Sequence, residues 1–134
     1  MPQPSAPAVS YHISPPLNNE QLNILFAAAW PHHARRDFAP VLAHSLACIC
    51  AFQEETLVGF VNLAWDGGIH AFLLDTTVHP ARQRQGIGRH LVTHAVAEAR
   101  RHGMHWLHVD YEPHLEPFYH ACGLTPTLAG LLRL

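Results

Sequence analysis

The spacing of apolar side chains along the chain predicts a series of short strands and helices. Residues 9–14 alternate between apolar and polar side chains, which indicates a strand with one buried face. An amphipathic pattern follows and predicts a helix that Asn18 or Asn19 caps and that runs to Ala29. The further predicted elements are a helix over 37–45, strands over 46–52, 56–65 and 70–78, a helix over 86–102, a strand over 106–111, a helix over 114–122 and a last hairpin over 124–134.

The order of these elements indicates an α+β domain. Three predicted strands follow one another over 46–78, with turn signals between them and no intervening helix. Strands that bunch between helices favour a mixed sheet over a regular strand-helix-strand repeat. A chain of 134 residues with 49% hydrophobic content fits one domain. We expect residues 9–134 to form that domain and the proline-rich residues 1–8 to be a disordered lead.

Charge is scarce in this chain and does not point to a polyanionic partner. Charged residues make up 13% of the sequence, the formal net charge is -2, and all the basic residues are arginines. We therefore predict no nucleic-acid or membrane partner. No apolar run approaches the roughly 20 residues of a membrane span. The N-terminus lacks the basic and apolar regions of a secretory signal, so a cytoplasmic location is expected.

The cysteines and histidines do not form a recognisable metal motif. Cys48 and Cys50 alternate within an apolar run and should point to the same face of one strand, and Cys122 is a third, odd cysteine. Free buried thiols are expected. The 13 histidines are scattered and lack structural-zinc spacing, so no metal site is predicted. A histidine-rich metal-binding protein remains a weaker alternative, which elemental analysis of tag-free protein would test.

The segment 78–91, VHPARQRQGIGRHL, has the features of a phosphate-binding loop. A predicted strand ends, a short loop follows, and two glycines open a helix whose free N–H groups and positive dipole favour an anion. Gly86 and Gly88 would let the backbone approach a phosphate closely. Arg84 and Arg89 can add charge-assisted contacts. Neither a Walker loop nor a dinucleotide fingerprint is present.

This segment resembles the acetyl-CoA signature of the GNAT family of N-acetyltransferases, Gln/Arg-x-x-Gly-x-Gly/Ala. Gln83, Gly86 and Gly88 match the signature, and the preceding Val-x-Pro is also similar to that family's. A second landmark is a helical Phe118-Tyr119 pair, which is followed by Gly-Leu where the family has Gly-Phe. The resemblance covers about residues 46–134, whereas the first 45 residues match only in their strand-helix-helix order.

The resemblance implies a mixed, mostly antiparallel sheet that is splayed between its fourth and fifth strands and flanked by about four helices. It also implies acetyl-CoA as co-substrate, with pantetheine against the fourth strand and pyrophosphate on the loop amides. The residues it implies for cofactor binding are Thr76, Thr77, Val78, Gln83, Arg84, Gln85, Gly86, Ile87, Gly88 and Arg89.

Tyr119 matches the tyrosine that often acts as general acid in this family. A phenol with an ordinary pKa near 10 can donate a proton to a departing thiolate. The alternative is a core aromatic whose hydroxyl is simply satisfied. The activity implied is transfer of an acetyl group from acetyl-CoA to a primary amine, on a small molecule or a protein, by direct attack in a ternary complex.

The sequence departs from the family pattern at two places. Glu112 stands where the family often has an asparagine, and it could face the substrate amine or cap the following helix. Phe72 stands where some relatives carry a glutamate base. Asp75 is near, but strict alternation would put it on the other face from Phe72, Leu74 and Thr76. The remaining candidate bases are His70, His108, Asp110, His114 and a water chain.

The acceptor side is predicted to include the segment 30–38, with Trp30 and Arg35 as binding residues. Arg35 and Arg36 could hold a carboxylate or phosphate of the acceptor, or form an ordinary exposed basic loop. The rival function is a non-catalytic module that senses acyl-CoA, which the departures from the family pattern allow. The apolar tail 128–134 could be a homodimer interface or an ordinary last strand.

Overall fold

A computed structural model describes residues 7–134, in which five strands form one sheet in the order β1-β2-β3-β4-β5. Strands β1 to β4 pair antiparallel, and β5 runs parallel to β4. The predicted α+β fold with a mixed, mostly antiparallel sheet is therefore confirmed. The elements are β1 Val9–Ile13, α1 Asn19–Ala29, α2 Ala39–Ala43, β2 Ser45–Gln53, β3 Thr56–Trp65, β4 His70–Val78, α3 Ile87–Arg101, β5 Trp106–His108 and α4 Glu116–Ala121, with short 3-10 turns at Pro80–Arg82 and Pro113–Leu115.

Helices cover both faces of the sheet because the strands alternate their side chains between two cores. In β2, Ile49 and Ala51 pack with residues of α3, whereas Cys48 and Cys50 pack with residues of α1. Both cysteines are buried free thiols on one face, as predicted. Burial of this apolar surface on the two faces is the main force that holds the layers together.

Helix α3 lies close to the sheet because β3 has a glycine beneath it. A Cβ at Gly59 would lie 3.0 Å from side-chain atoms of both Ile87 and Leu91, which α3 supplies.

We expect Gly59→Val to destabilise the fold by about 1–3 kcal/mol, because the helix must move outward. Thermal unfolding checks this, with Gly130→Val as control because nothing lies within 4 Å of that Cβ. Equal melting temperatures for the two variants would contradict the close-packing explanation.

The sheet is splayed at its parallel strand pair, β4 and β5. Strand β5 pairs with β4 over His70, Ala71 and Phe72 and then diverges. From Leu73 to Val78, the edge of β4 that faces β5 has no strand partner within residues 7–134. The predicted cleft between the fourth and fifth strands is therefore present, and the free backbone groups of β4 line it.

A β-bulge in β4 reverses the expected alternation of side chains near this cleft. Phe60 pairs with Thr77 and Asn62 pairs with Leu74, so two residues of β4 lie opposite Val61 alone. The first of the two, Asp75, has a left-handed backbone with a φ of 57°.

The two residues of the bulge point to opposite faces of the sheet. Thr76 points to the face of α3 and α4, where it contacts Tyr119. Asp75 points to the face of α1, where it pairs with Arg36. Phe72 and Leu74 also point away from the α3 core, which holds Ala71 and Leu73. The sequence predicted that Thr76 shares the face of Phe72 and Leu74 and that Asp75 lies on the other face. Both predictions are wrong.

The C-terminal part of the chain departs most from the sequence-based prediction. Strand β5 ends at His108 instead of residue 111, and residues 124–134 form no strand, so the predicted last hairpin is wrong. A two-stranded hairpin is stable only when its apolar face packs on something. Here the side chains of Leu128, Leu131, Leu132 and Leu134 are largely exposed.

Most of the predicted disordered lead, residues 1–8, lies outside the described residues. Within residues 7–134, the helices are all too short or too polar to cross a lipid bilayer.

Candidate active site

The segment that links β4 to α3 forms a tight backbone cradle. After Val78, the N–H of His79 donates to the carbonyl of Val58, and the His79 ring accepts from the N–H of Ala81. Two residues with positive φ follow, Arg84 at 63° and Gly86 at 79°. Helix α3 begins directly after the second of them. The chain therefore turns sharply at the predicted phosphate loop and enters α3 with its N-terminal amides pointing outward.

These amides are available to an anion. In the part of the chain that the structure describes, no bond between elements uses a backbone N–H of residues 83–89 as its donor. The first helical bond of α3 is donated by His90 to the carbonyl of Gly86. Free amides at the positive end of a 15-residue helix attract negative charge. Arg84 and Arg89 are exposed beside them and add positive charge.

The two glycines of the signature have different structural roles. Gly86 supplies the left-handed conformation that precedes the helix, which few other residues adopt without strain. Gly88 permits close packing, because a Cβ there would lie 3.3 Å from the ring of Phe118 and 3.6 Å from Val78. The loop and the Phe118-Tyr119 motif therefore pack against each other, although they are distant in sequence.

Tyr119 lies at the cleft between β4 and β5. Its side chain is only 6% exposed, and its hydroxyl donates to Oγ1 of Thr76 across 3.5 Å. The ring stacks on Tyr111 with centroids 4.8 Å apart. Burial is the main cause that raises the pKa of Tyr119 above the ordinary tyrosine value, and it outweighs the lowering effect of the hydrogen bond to Thr76. The phenol therefore stays protonated at neutral pH and can act as a proton donor.

The opposite face of the bulge is organised by Trp30, which ends helix α1. Its indole Nε1 donates to Oγ1 of Thr77 across 3.1 Å, and the same hydroxyl donates to the carbonyl of Asp75. Arg36 lies 3.6 Å from the Asp75 carboxylate. The structure thus brings Trp30 to the bulge together with Arg36, which the sequence suggested as an anion-binding residue. It also brings Asp75 there, which strict alternation had set aside as a base.

The other two predicted acceptor residues lie apart from this cluster. Arg35 donates to Glu20 of α1 across 2.7 Å, and both side chains are exposed. Glu112 precedes the 3-10 turn Pro113–Leu115, and its side chain makes no capping hydrogen bond. Their role in binding the acceptor stays a prediction. The acidic residue within the run LLDTTV was the one sequence signal that could have indicated a bulge at Asp75.

Two of the candidate bases lie together on the parallel strand pair. Nδ1 of His70 and Nε2 of His108 are 2.7 Å apart, and Phe72 stacks on His108 with centroids 4.8 Å apart. The other two candidates, Asp110 and His114, are exposed and lie beyond the end of β5. Among residues 7–134, no three histidine, cysteine or acidic side chains are grouped to hold a metal ion.

Comparison with known proteins points to one family. The family model for the acetyltransferase (GNAT) family matches residues 16–124. An uncharacterized, ycf52-like N-acetyltransferase from Prochlorococcus marinus is 24% identical over 106 residues, which are 76% of this chain. The match covers 59% of that relative's length, so the chain spans about three fifths of it.

Solved structures of acetyltransferases share the fold. A GNAT family acetyltransferase from Streptococcus pneumoniae superposes with a TM-score of 0.78 at 23% identity, covering 95% of this chain and 98% of the other. The aminoglycoside N-acetyltransferase AAC(6')-Iy, solved in complex with CoA, has a TM-score of 0.75 at 17% identity, covering 98% of this chain and 97% of the other. With the family model matching most of its length, this chain belongs to the GNAT acetyltransferase family.

Proposed function

We propose that this protein transfers an acetyl group from acetyl-CoA to a primary amine by direct attack in a ternary complex. The observation that carries this proposal is the position of the Tyr119 hydroxyl. It lies 3.5 Å from Thr76 on the free edge of β4, on the face of the sheet that also holds α3 and the phosphate loop. A buried proton donor beside an open strand and an anion cradle is the arrangement that thioester aminolysis needs.

Acetyl-CoA would extend along the cleft from the loop to Tyr119. The free amides of residues 83–89 would hold the pyrophosphate, and Arg84 and Arg89 would add charge. The open edge of β4 at Thr76, Thr77 and Val78 would pair with the amide groups of pantetheine. The CoA complex of the structurally similar aminoglycoside acetyltransferase supports this choice of co-substrate.

The chemical step follows from the placement of these groups. The nitrogen of a neutral amine attacks the thioester carbonyl carbon, and a C–N bond forms while the oxygen becomes an oxyanion. A backbone N–H on the open edge of β4 would stabilise that oxyanion. Collapse of the intermediate breaks the C–S bond, and the phenol of Tyr119 gives its proton to the leaving thiolate, which departs as CoA. An ammonium substrate gives one proton to water or a base on the acceptor face before the attack, and the nitrogen gives up a second proton there after the C–N bond has formed. One of these protons returns through water to the Tyr119 phenolate, and the other is released to solvent.

The acceptor is a primary amine on a small molecule or on a protein. Trp30, Arg35 and Glu112 remain the residues predicted from the sequence to contact the acceptor. Aminoglycosides are the amines acted on by one structurally similar enzyme, so polyamine sugars belong in any substrate screen. A cytoplasmic location and a homodimer also remain predictions.

A screen for thiol release from acetyl-CoA tests the proposed function. Purified protein is mixed with acetyl-CoA and, separately, with amino acids, polyamines, aminoglycosides and short peptides, and free CoA is detected with a thiol reagent. We expect amine-dependent release, with acetylated product visible by mass spectrometry. Binding of acetyl-CoA without release by any amine would instead favour the non-catalytic acyl-CoA sensor.

A further inference from the structure

The ion pair between Arg36 and Asp75 lies at the bulge of β4, in a place where it adds little to the stability of the fold. Nη2 of Arg36 lies 3.6 Å from Oδ2 of Asp75, and the two side chains are 45% and 41% exposed. An exposed pair with one long contact contributes little to stability. Asp75 is also the residue immediately before Thr76, which Tyr119 contacts from the other face of the sheet. The pair therefore borders the reaction centre on its acceptor side.

The segment that carries Arg36 is held rigidly by a buried asparagine of α1. Asn23 is only 5% exposed, and its side-chain amide donates to the carbonyl of Arg36 while its oxygen accepts from the N–H of the same residue. The ring of His33 also bonds to that oxygen, across 2.8 Å. At the far end of the segment, the N–H of Phe38 donates to Asn19. This segment is thus ordered before any ligand binds.

The guanidinium group of Arg36 lies over the rings of two buried phenylalanines. Its central carbon lies 4.5 Å from the centroid of the Phe38 ring and 5.6 Å from that of Phe26, and both rings are buried. A guanidinium over an aromatic ring can present its flat face to the ring and keep the N–H groups on its edge available. One long contact to Asp75 occupies few of them. A planar anion such as a carboxylate can bind to the rest in bidentate fashion.

The backbone of Asp75 is also fixed by hydrogen bonds. Its left-handed backbone is costly for a residue other than glycine. The Thr77 hydroxyl secures that backbone by donating to the carbonyl of Asp75, and Trp30 in turn donates to the hydroxyl. Strain that several contacts maintain at the edge of a cleft is typical of a functional position.

We propose that this ion pair is the recognition site for a zwitterionic acceptor, an amine that carries a carboxylate or phosphonate two or three bonds from its nitrogen. The ammonium of the acceptor binds Asp75 and its anion binds Arg36, so four charges alternate in sign around one small site. An α-amino acid has this spacing. Asp75 places the nitrogen next to Thr76, on the face of β4 opposite Tyr119. This assignment rests on the proposed function, because it names the acceptor of that same reaction.

Matched series of amines test the assignment. Thiol release from acetyl-CoA is measured with the standard α-amino acids, with their amides, with the corresponding decarboxylated amines and with aminoalkylphosphonates. For the amino acids that react, we expect kcat/KM to exceed that of the amide and the decarboxylated amine by about 10-fold or more, which is the size of one good charged contact. The phosphonates should behave like the carboxylates.

Variants assign this preference to the two residues. Arg36→Gln should bring the amino acid and its decarboxylated amine to within about 2-fold of each other, by raising the KM of the amino acid alone. Asp75→Asn should lower kcat/KM for both amines. Arg100→Gln removes an exposed arginine from α3 and should change neither value. Thermal unfolding of each variant checks that the fold is retained.

The outcomes separate the two proposals. If decarboxylated amines and amino acids react with equal kcat/KM, the zwitterion site is wrong while the acetyltransferase activity stands. The same conclusion follows if Arg36→Gln leaves the preference intact. If neither acetyl-CoA binding nor thiol release occurs with any amine, the proposed function itself fails and the acceptor assignment fails with it.

Discussion

Replacing Gly86 by glutamate is expected to weaken acetyl-CoA binding by about 100-fold or more, which corresponds to roughly 3 kcal/mol. Gly86 has a φ of 79°, so any side chain there is strained. The backbone N–H groups of residues 83–89 donate no hydrogen bond to another element of residues 7–134 and are free for the pyrophosphate. The new carboxylate would also lie beside the pyrophosphate and repel it. Equilibrium dialysis with labelled acetyl-CoA measures the loss directly.

Gly67 offers a matched control for this substitution. It has a φ of 81° and open space around its Cβ position, and it lies in the turn between β3 and β4, at the opposite end of β4 from the loop. Gly67→Glu therefore introduces the same backbone strain and the same charge away from the loop, and it should bind acetyl-CoA like the unaltered protein. Equal losses in the two variants would show that strain, and not the loop, controls binding.

Tyr119→Phe is expected to reduce kcat by about 100-fold to 10,000-fold while the affinity for acetyl-CoA stays within a few-fold. The substitution removes the proton donor but keeps the ring that stacks on Tyr111 and meets Phe118 edge to face. Burial raises the pKa of the hydroxyl, so the hydroxyl is neutral at neutral pH. The substitution therefore removes a proton donor and leaves the charge of the site unchanged. Steady-state thiol release, with acetyl-CoA affinity measured in parallel, separates the two effects.

The stacked neighbour provides the comparison for this variant. Tyr111→Phe deletes a hydroxyl from the other member of the same ring pair, and we expect kcat to stay near the value of the unaltered protein. If both variants lose activity equally, Tyr119 acts through packing. If Tyr119→Phe keeps full turnover, the thiolate receives its proton elsewhere and the assigned general acid is wrong.

The parts of the site that are encoded locally could be predicted from the sequence. The signature at Gln83, Gly86 and Gly88 combines a strand end, a turn and a helix start within a few residues, so its geometry hardly depends on the rest of the chain. The order of the strands and their turn signals likewise led to the correct fold class. Tyr119 was selected by its family motif, and its raised pKa follows from burial that only the folded chain provides.

The direction in which the Asp75 side chain points could not be predicted, because it depends on one extra residue in a strand. Strict alternation assigned Asp75 to the wrong face relative to Phe72, whereas the bulge and its positive φ turn the carboxylate towards Arg36. Alternation assumes a regular pleat, and one inserted residue reverses every later side chain.

Which of the two neighbouring arginines in segment 30–38 faces β4 could not be predicted for a similar reason. Arg35 and Arg36 are adjacent in sequence, and long-range contacts separate their directions. Asn23 bonds to the backbone of Arg36, whose guanidinium lies near Asp75, whereas Arg35 pairs with Glu20. The wrong hairpin over 124–134 also reflects a long-range condition, since a strand forms only where a sheet edge is available to it.

Calorimetric titration of acetyl-CoA into the unaltered protein tests the central claim most directly. We predict saturable binding of one acetyl-CoA per chain with a Kd in the micromolar range, and a comparable affinity for CoA, since the loop and the open edge of β4 contact parts that both molecules share. Absence of binding by both would contradict the assigned site and leave a GNAT fold that lacks the activity proposed for it.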